Sequence, residues 1–333
     1  MSTHVKRMAA AVLAIGLAVS AGACSSSGGK KAEENPAGVG AGKANTPAMT
    51  VAMVTHAAPG DTFWDIIRKG AESAAAKDNV TLKYSSDPTS ANQANLIQSA
   101  IDSKVDGIAL TLPDPPALMP VVKKAIAAGI PVIAFNAGIT SFEDSGALAY
   151  FGSDESVAGQ TAGERATTDG AKHVLCVIQA QGQVQLEARC DGVQRGFKGG
   201  KYDKIYVNGQ DLPSVQTTIG AKLQQDKSID LVVTLGAPIA LASIQSIKSA
   251  NSQAKVGTFD FNPQIPPQIE SGALQWAIDQ QPFLQGYSAV DGLWLYKANG
   301  NVLGGGKATL TGPYLVDKNN VKFVGQFAAA GTR

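Results

Sequence analysis

The sequence predicts an α/β protein of two similar lobes, each a parallel sheet with helices on both faces. Three observations carry this. Short apolar runs alternate with segments of helical period along most of the chain, the order that builds parallel sheets. Residues 108–136 are echoed by residues 231–260, each a strand, a helix and a second strand, closing in Phe-Asn and in Phe-Asp. The composition suits a protein large enough for two cores, with 333 residues, 44% hydrophobic and 17% charged.

The first strand is expected at 50–54, and a Pro-Gly turn then leads to Asp61, a good helix N-cap. Phe63, Ile66, Ile67, Gly70 and Ala74 recur at the spacing of one buried helix face, with Trp64 off that stripe at the first turn. In a strand–loop–helix unit this mouth points at a ligand. An indole beside a carboxylate suits a sugar ring: the flat face covers C–H groups while the acid accepts from hydroxyls. The residues equally allow Asp61 only to cap and Trp64 only to pack.

A strand at 80–84, a turn at 87–90 and a helix burying Leu96, Ile97, Ala100 and Ile101 come next. The strand 108–112 is broken by Pro113-Asp114-Pro115-Pro116, and a helix runs from there to Ala128, with Gly129 at its end. The strand 130–135 ends at Asn136. Strands at 148–151, 173–178 and 204–207 are separated by helices near 156–168, 185–197 and 214–226. The second copy follows, with strands at 229–235 and 255–259 around a helix at 238–250. Ligands of open parallel sheets sit beyond the C-terminal strand ends, where Asn136 and Asp260 fall. Trp276 and Trp294 are assigned to the core, the latter on a helix with Leu293 and Tyr296.

The start of the chain reads as an export signal over residues 1–23: Lys6-Arg7, an apolar run at 8–19, then small residues. Ala21-Gly22-Ala23-Cys24 resembles a bacterial lipobox, departing from it at Ala21, so Cys24 is expected to carry lipid. An ordinary secretory cleavage leaving a free thiol is the other reading. Residues 24–47, rich in Ser, Gly, Ala and Lys, read as a flexible tether. The apolar run is too short to span a bilayer. Without Lys6 and Arg7 the 28 basic residues become 26 against 27 acidic ones, and such neutrality argues against nucleic acid. Cys176 and Cys190 are spaced for a bridge between a strand and the following helix, or for a buried strand cysteine acting as a small hydrophobe. No histidine lies at ligand spacing to either, so neither a metal nor another cofactor is expected.

Six short segments, in order, carry a family resemblance: Gly60-Asp61-Thr62-Phe63-Trp64, Val105-Asp106-Gly107-Ile108, Gly129-Ile130-Pro131-Val132-Ile133, Arg189-Cys190-Asp191-Gly192, Val256-Gly257-Thr258-Phe259-Asp260 and Ala277-Ile278-Asp279-Gln280-Gln281-Pro282. From Thr50 onward the chain resembles the ribose-binding cluster of type I periplasmic binding proteins, the sugar-binding components of bacterial ABC importers. The resemblance implies two Rossmann-like lobes joined by a three-strand hinge, with crossings near 151–153, 279–281 and 310–312. Lobe one would comprise 48–152 plus 281–310, and lobe two 153–280 plus 311–333.

The same resemblance implies site residues. Asp61 matches a polar ligand residue, and Phe63 and Trp64 match a ring-stacking pair. Arg189, Asp260 and Gln280 match the binding Arg, the hydroxyl-binding Asp and the hinge Gln. Gln210 and Asp211 occupy a further lining position. Asn136-Ala137 departs from the Asp-Arg of ribose binders, which points away from ribose held in the usual way, and Gly236 stands where a binding Asn is common. Taken without the family, Arg189 could instead pair with Glu187 or Asp191, and Asp260 could begin a turn. Replacing Arg189 or Asp260 by Ala is expected to abolish sugar-induced stabilisation and leave the unliganded melting point nearly unchanged.

The implied function is a monomeric substrate-binding lipoprotein on the outer face of the cytoplasmic membrane. It would capture a monosaccharide or polyol and present it to an ABC permease driven by its ATPase. The alternative is a sensor of a sugar or furanosyl signal acting through a membrane receptor. An enzyme is disfavoured. Of three histidines, one lies in the signal, and the sequence has no Gly-x-Ser-x-Gly elbow. Gly304-Gly305-Gly306-Lys307-Ala308 fails as a phosphate loop, with Ala308 in place of Ser or Thr.

Overall fold

The computed structural model describes residues 43–333, so the expected signal 1–23, Cys24 and the tether as far as residue 42 lie outside the described residues. The first sheet takes β1 (Met49–Thr55), β2 (Val80–Ser86), β3 (Gly107–Leu110), β4 (Val132–Phe135) and β5 (Tyr150–Ser153). Among them run α1 (Thr62–Lys77), α2 (Ser90–Asp102), α3 (Pro115–Ala127) and the short α4 (Phe142–Ser145). The second sheet takes β6 (His173–Ile178), β7 (Lys201–Tyr206), β8 (Leu231–Thr234), β9 (Lys255–Phe259) and β10 (Trp276–Asp279). Its helices are α5 (Glu155–Thr168), α6 (Val184–Gly196), α7 (Leu212–Gln225), α8 (Ala237–Ser249) and α9 (Ile265–Ser271). The chain then returns through α10 (Pro282–Asn299) and β11 (Ala308–Gly312) to the first sheet. It ends in β12 (Tyr314–Asp317) and α11 (Val321–Ala329) on the second.

The strand orders are β11-β5-β4-β3-β1-β2 and β12-β10-β9-β8-β6-β7, so the two sheets repeat one plan. Central strands are buried on both faces, as parallel sheets covered by helices require: Val51, Met53, Val54, Ile108 and Leu110 are all inaccessible to solvent. The edge strands β2 and β7 are half-exposed. One strand departs from the parallel expectation. β12 runs antiparallel to β10, with Trp276 opposite Asp317. Four residues behind a proline hold too little periodicity to announce a strand. β7 also begins three residues before its expected start, and Tyr296 faces solvent.

Three chain crossings join the lobes, after β5, β10 and β11, and they pack tightly. A Cβ on Gly312 would stand 2.9 Å from Asp279 O, 2.9 Å from Ser153 Oγ and 3.0 Å from Gln280 Cα. Residues 43–47, expected in the tether, are held by the first lobe: Ala44 N donates to Lys77 O at 2.7 Å, and the Trp294 indole donates to Thr46 Oγ1 at 3.0 Å. No described helix is long and apolar enough to cross a membrane.

Candidate functional site

The C-terminal ends of both sheets face a cavity of about 640 Å³. Asn136 and Asp260 stand at equivalent places, each following the last residue of a central strand, and both adopt left-handed backbone, with φ of 63° and 67°. Non-glycine residues rarely accept that conformation outside tightly determined sites. Here it turns each chain away from its sheet with the side chain at the cavity.

Of the residues expected at the site, Asp61, Phe63, Trp64, Asn136, Arg189, Gln210, Asp260 and Gln280 line this one cavity. Asp211 does not. It is exposed and caps α7, accepting from Ser214 N at 3.1 Å.

On the first lobe, Asp61 both caps and faces the cavity. One carboxylate oxygen accepts from Phe63 N at 3.1 Å. Burial, opposed by that bond and reinforced by the charge of Asp260, pushes its pKa up to about 6. Trp64 likewise both packs and lines, meeting the His56 ring edge-to-face at 4.6 Å between centroids and the Phe63 ring at 5.4 Å. Asn136 donates to Gln280 Oε1 and to Gln285 Oε1, each at 3.1 Å, and its carbonyl accepts from Tyr150 Oη at 2.8 Å.

On the second lobe, Arg189 is buried, and its partner is neither Glu187 nor Asp191, which pair with Lys204 instead. Arg189 Nε and Nη2 donate to the two oxygens of Glu155 at 2.5 and 3.1 Å, and Nη1 donates to Leu235 O at 3.0 Å. That leaves one N–H on each terminal nitrogen for a ligand oxygen. Asp260 Oδ1 lies 3.6 Å from Nη1 and accepts from Gln280 Nε2. Asp260 turns the backbone as it leaves β9, and Asn262 supports the next turn with its side chain, which accepts from Gln264 N at 2.9 Å. Polar groups thus run without a break from Glu155 through Arg189, Asp260 and Gln280 to Asn136, joining the lobes through the hinge. Cys176 and Cys190 form a disulfide, with Cα atoms 5.9 Å apart, that ties β6 to α6 beside Arg189.

Sequence reasoning passed over a second group. Gln179, Gln181, Gln183 and Gln185 alternate through the loop after β6 into the first turn of α6, and all line the cavity. The alternation was legible in the sequence, but glutamine carries no motif of its own. Gln185 Nε2 lies 3.1 Å from His56 Nε2 across the cleft, and His56 Nδ1 lies 2.8 Å from Thr111 Oγ1. Val184 N donates to Pro113 O at 3.0 Å, a second contact between lobes. Burial, then the charge of Arg189, pushes the His56 pKa down to about 3, so the ring is neutral. Among the described residues, Gln179 Oε1 and Gln185 Oε1 are buried acceptors with no protein donor. Gly236 leaves the room in which Gln179 sits: a Cβ there would be 3.1 Å from Gln179 Nε2.

Away from the cavity, His173, Asp203 and Asp226 bring ligand-type atoms within 4.8 Å of one another. Lys222 Nζ lies 2.7 Å from Asp203 and Ser228 Oγ 2.7 Å from His173 Nδ1, while His173 Nε2 is buried 3.5 Å from Asp203.

Residues 51–301 match the periplasmic binding protein domain. A carbohydrate transporter from Acidothermus cellulolyticus 11B, solved in complex with myo-inositol, is 68% identical with a TM-score of 0.85, over 86% of this chain and 100% of that one. A periplasmic sugar-binding protein of an ABC sugar transporter from Legionella pneumophila is 25% identical with a TM-score of 0.73, over 79% of this chain and 99% of that one. A xylose/arabinose-binding protein from Sulfolobus acidocaldarius is 26% identical over 218 residues, which span 61% of this chain and 54% of that relative. With the domain match spanning three quarters of its length and the fold shared by these structures, the chain belongs to the periplasmic binding protein family.

Proposed function

We propose that this protein is the substrate-binding lipoprotein of a carbohydrate ABC importer. It captures a neutral monosaccharide or polyol between its lobes and presents the closed complex to a membrane permease. The observation that carries the proposal is the cavity itself, where the Phe63–Trp64 pair faces Arg189, Asp260 and the glutamine loop. A polyol ring offers an apolar face to the indole. Its hydroxyls donate to Asp61 and Asp260, and accept from Arg189 and Gln280. Charge-assisted bonds of this kind contribute about 1.5–3 kcal/mol each, before ordering costs are subtracted.

The inositol-bound relative at 68% identity supports a cyclitol as the first ligand to try. Lobe one comprises 48–152 plus 281–310, lobe two 153–280 plus 311–333, and the ligand favours the closed arrangement through contacts made only when the lobes meet. The leader 1–23 is removed on export, and lipidated Cys24 anchors the tether to the outer face of the membrane. A thermal-shift screen of cyclitols, alditols, pentoses and hexoses tests the reading. A ligand at 100-fold over its dissociation constant adds about 2.7 kcal/mol of stability, and silence from every class would refute the proposal.

A further inference from the structure

We propose that Glu155 sets the charge selectivity of the cleft: by holding the Arg189 guanidinium it fits the site to uncharged polyhydroxylated rings and closes it to their carboxylated and phosphorylated counterparts. The inference rests on the carbohydrate reading above and narrows its ligand class.

A free arginine in a cleft is a receptor for carboxylate or phosphate. Here the fork is taken. Glu155 engages Nε and Nη2 from the first turn of α5, and Asp260 lies 3.6 Å from Nη1. Glu155 is 3% exposed and absent from the cavity wall, so it acts from behind the guanidinium. The wall's charged residues are Asp61, Arg189 and Asp260. With Glu155 the group holds three acids against one base. The N-termini of α6 and α8 reach the same cavity without side-chain caps. Each offers at most about half a positive charge, so the balance stays negative. His56 adds none, being neutral. An anionic ligand therefore meets surplus negative charge, while a hydroxyl oxygen still finds the remaining guanidinium N–H groups.

The test is calorimetric titration of the purified protein with two matched pairs: myo-inositol against myo-inositol 1-phosphate, and D-galactose against D-galacturonate. A unit charge within about 6 Å at an effective dielectric of about 20 changes a charged ligand's affinity about a hundredfold. That is the expected deficit of the anionic member in the wild type. Glu155→Gln should narrow the deficit at least about tenfold, and Glu155→Asp, which keeps the charge, should preserve it. A wild type that binds an anion within about threefold of its neutral parent overturns the inference. So does a folded Glu155→Gln with an unchanged ratio. Should Glu155→Gln not fold, the galactose pair in the wild type decides, because its members differ little in bulk. Failure of both neutral parents to bind would instead strike the carbohydrate reading beneath.

Discussion

Gly159 on α5 and Gly192 on α6 let two helices touch backbone to backbone, and that contact fixes the height of Arg189. A Cβ on Gly159 would stand 2.2 Å from Arg189 O and 2.9 Å from Gly192 Cα. Restoring ordinary contact at 3.4 Å requires a displacement of about 1.2 Å, because neither atom belongs to a side chain that can swing away. Gly159→Ala should therefore cost about 1–3 kcal/mol in overpacking, and a chain of this size should melt roughly 2–4 °C lower per kcal/mol. The same shift draws Arg189 off Glu155 and Asp260, so ligand affinity should fall at least about tenfold. Gly220→Ala on α7 is the control, since nothing lies within 4 Å of its Cβ. It should stabilise by about 0.5–1 kcal/mol through the unfolded chain and leave binding alone. Thermal melts with and without myo-inositol read both effects. A Gly159→Ala protein that melts at or above the wild type with full affinity would refute the claim that this helix contact positions the guanidinium.

Arg189→Ala leaves Glu155 buried without its partner and should cost about 3–5 kcal/mol. This revises the sequence-based expectation of a nearly unchanged melting point; a melt of the unliganded variant checks it. Reducing the Cys176–Cys190 bridge, which closes a 14-residue separation, should cost about 3 kcal/mol, seen as a lower denaturant midpoint with dithiothreitol. His56 is held near pKa 3 against an ordinary 6.5. Its stabilisation is thus complete above about pH 6.5 and is lost as pH falls toward 3, with a slope of about 1.4 kcal/mol per pH unit. Asp61, raised to about 6 by burial first, carries the opposite sign: its ionised form is penalised above pH 6, and the penalty fades as pH falls toward 3.8. Denaturant melts from pH 7 to 4 should accordingly fall less steeply in His56→Gln than in the wild type and more steeply in Asp61→Asn.

The sheets and the repeated strand ends were legible because apolar periodicity is local: Asn136 and Asp260 each follow a Phe that closes a buried strand. The mouth of α1 was legible for the same reason, since Asp61, Phe63 and Trp64 are neighbours in sequence. Capping and packing are both seen there, and Asp61 and Trp64 line the cavity as well. Glu155 was not legible. It lies 34 residues from Arg189, and only the packing of α5 on α6 joins them, whereas Glu187 and Asp191 are close in sequence and point elsewhere. Asp211 shows the converse. Its position beside Gln210 placed it at the site, but an aspartate one residue before a helix serves that helix first. The glutamine loop was visible as a pattern, yet its meaning depends on His56 and Pro113, which the other lobe supplies.

The most direct measurement is a fluorescence titration of the purified protein and of Trp64→Phe with myo-inositol, backed by calorimetry. Trp64 is the one tryptophan of three in the cavity wall, so its emission reports occupancy. A saturable, one-site change in the wild type that is lost in Trp64→Phe is the result predicted here. No saturable signal or heat with myo-inositol or any neutral polyol, or a signal undiminished without Trp64, would contradict capture between the lobes.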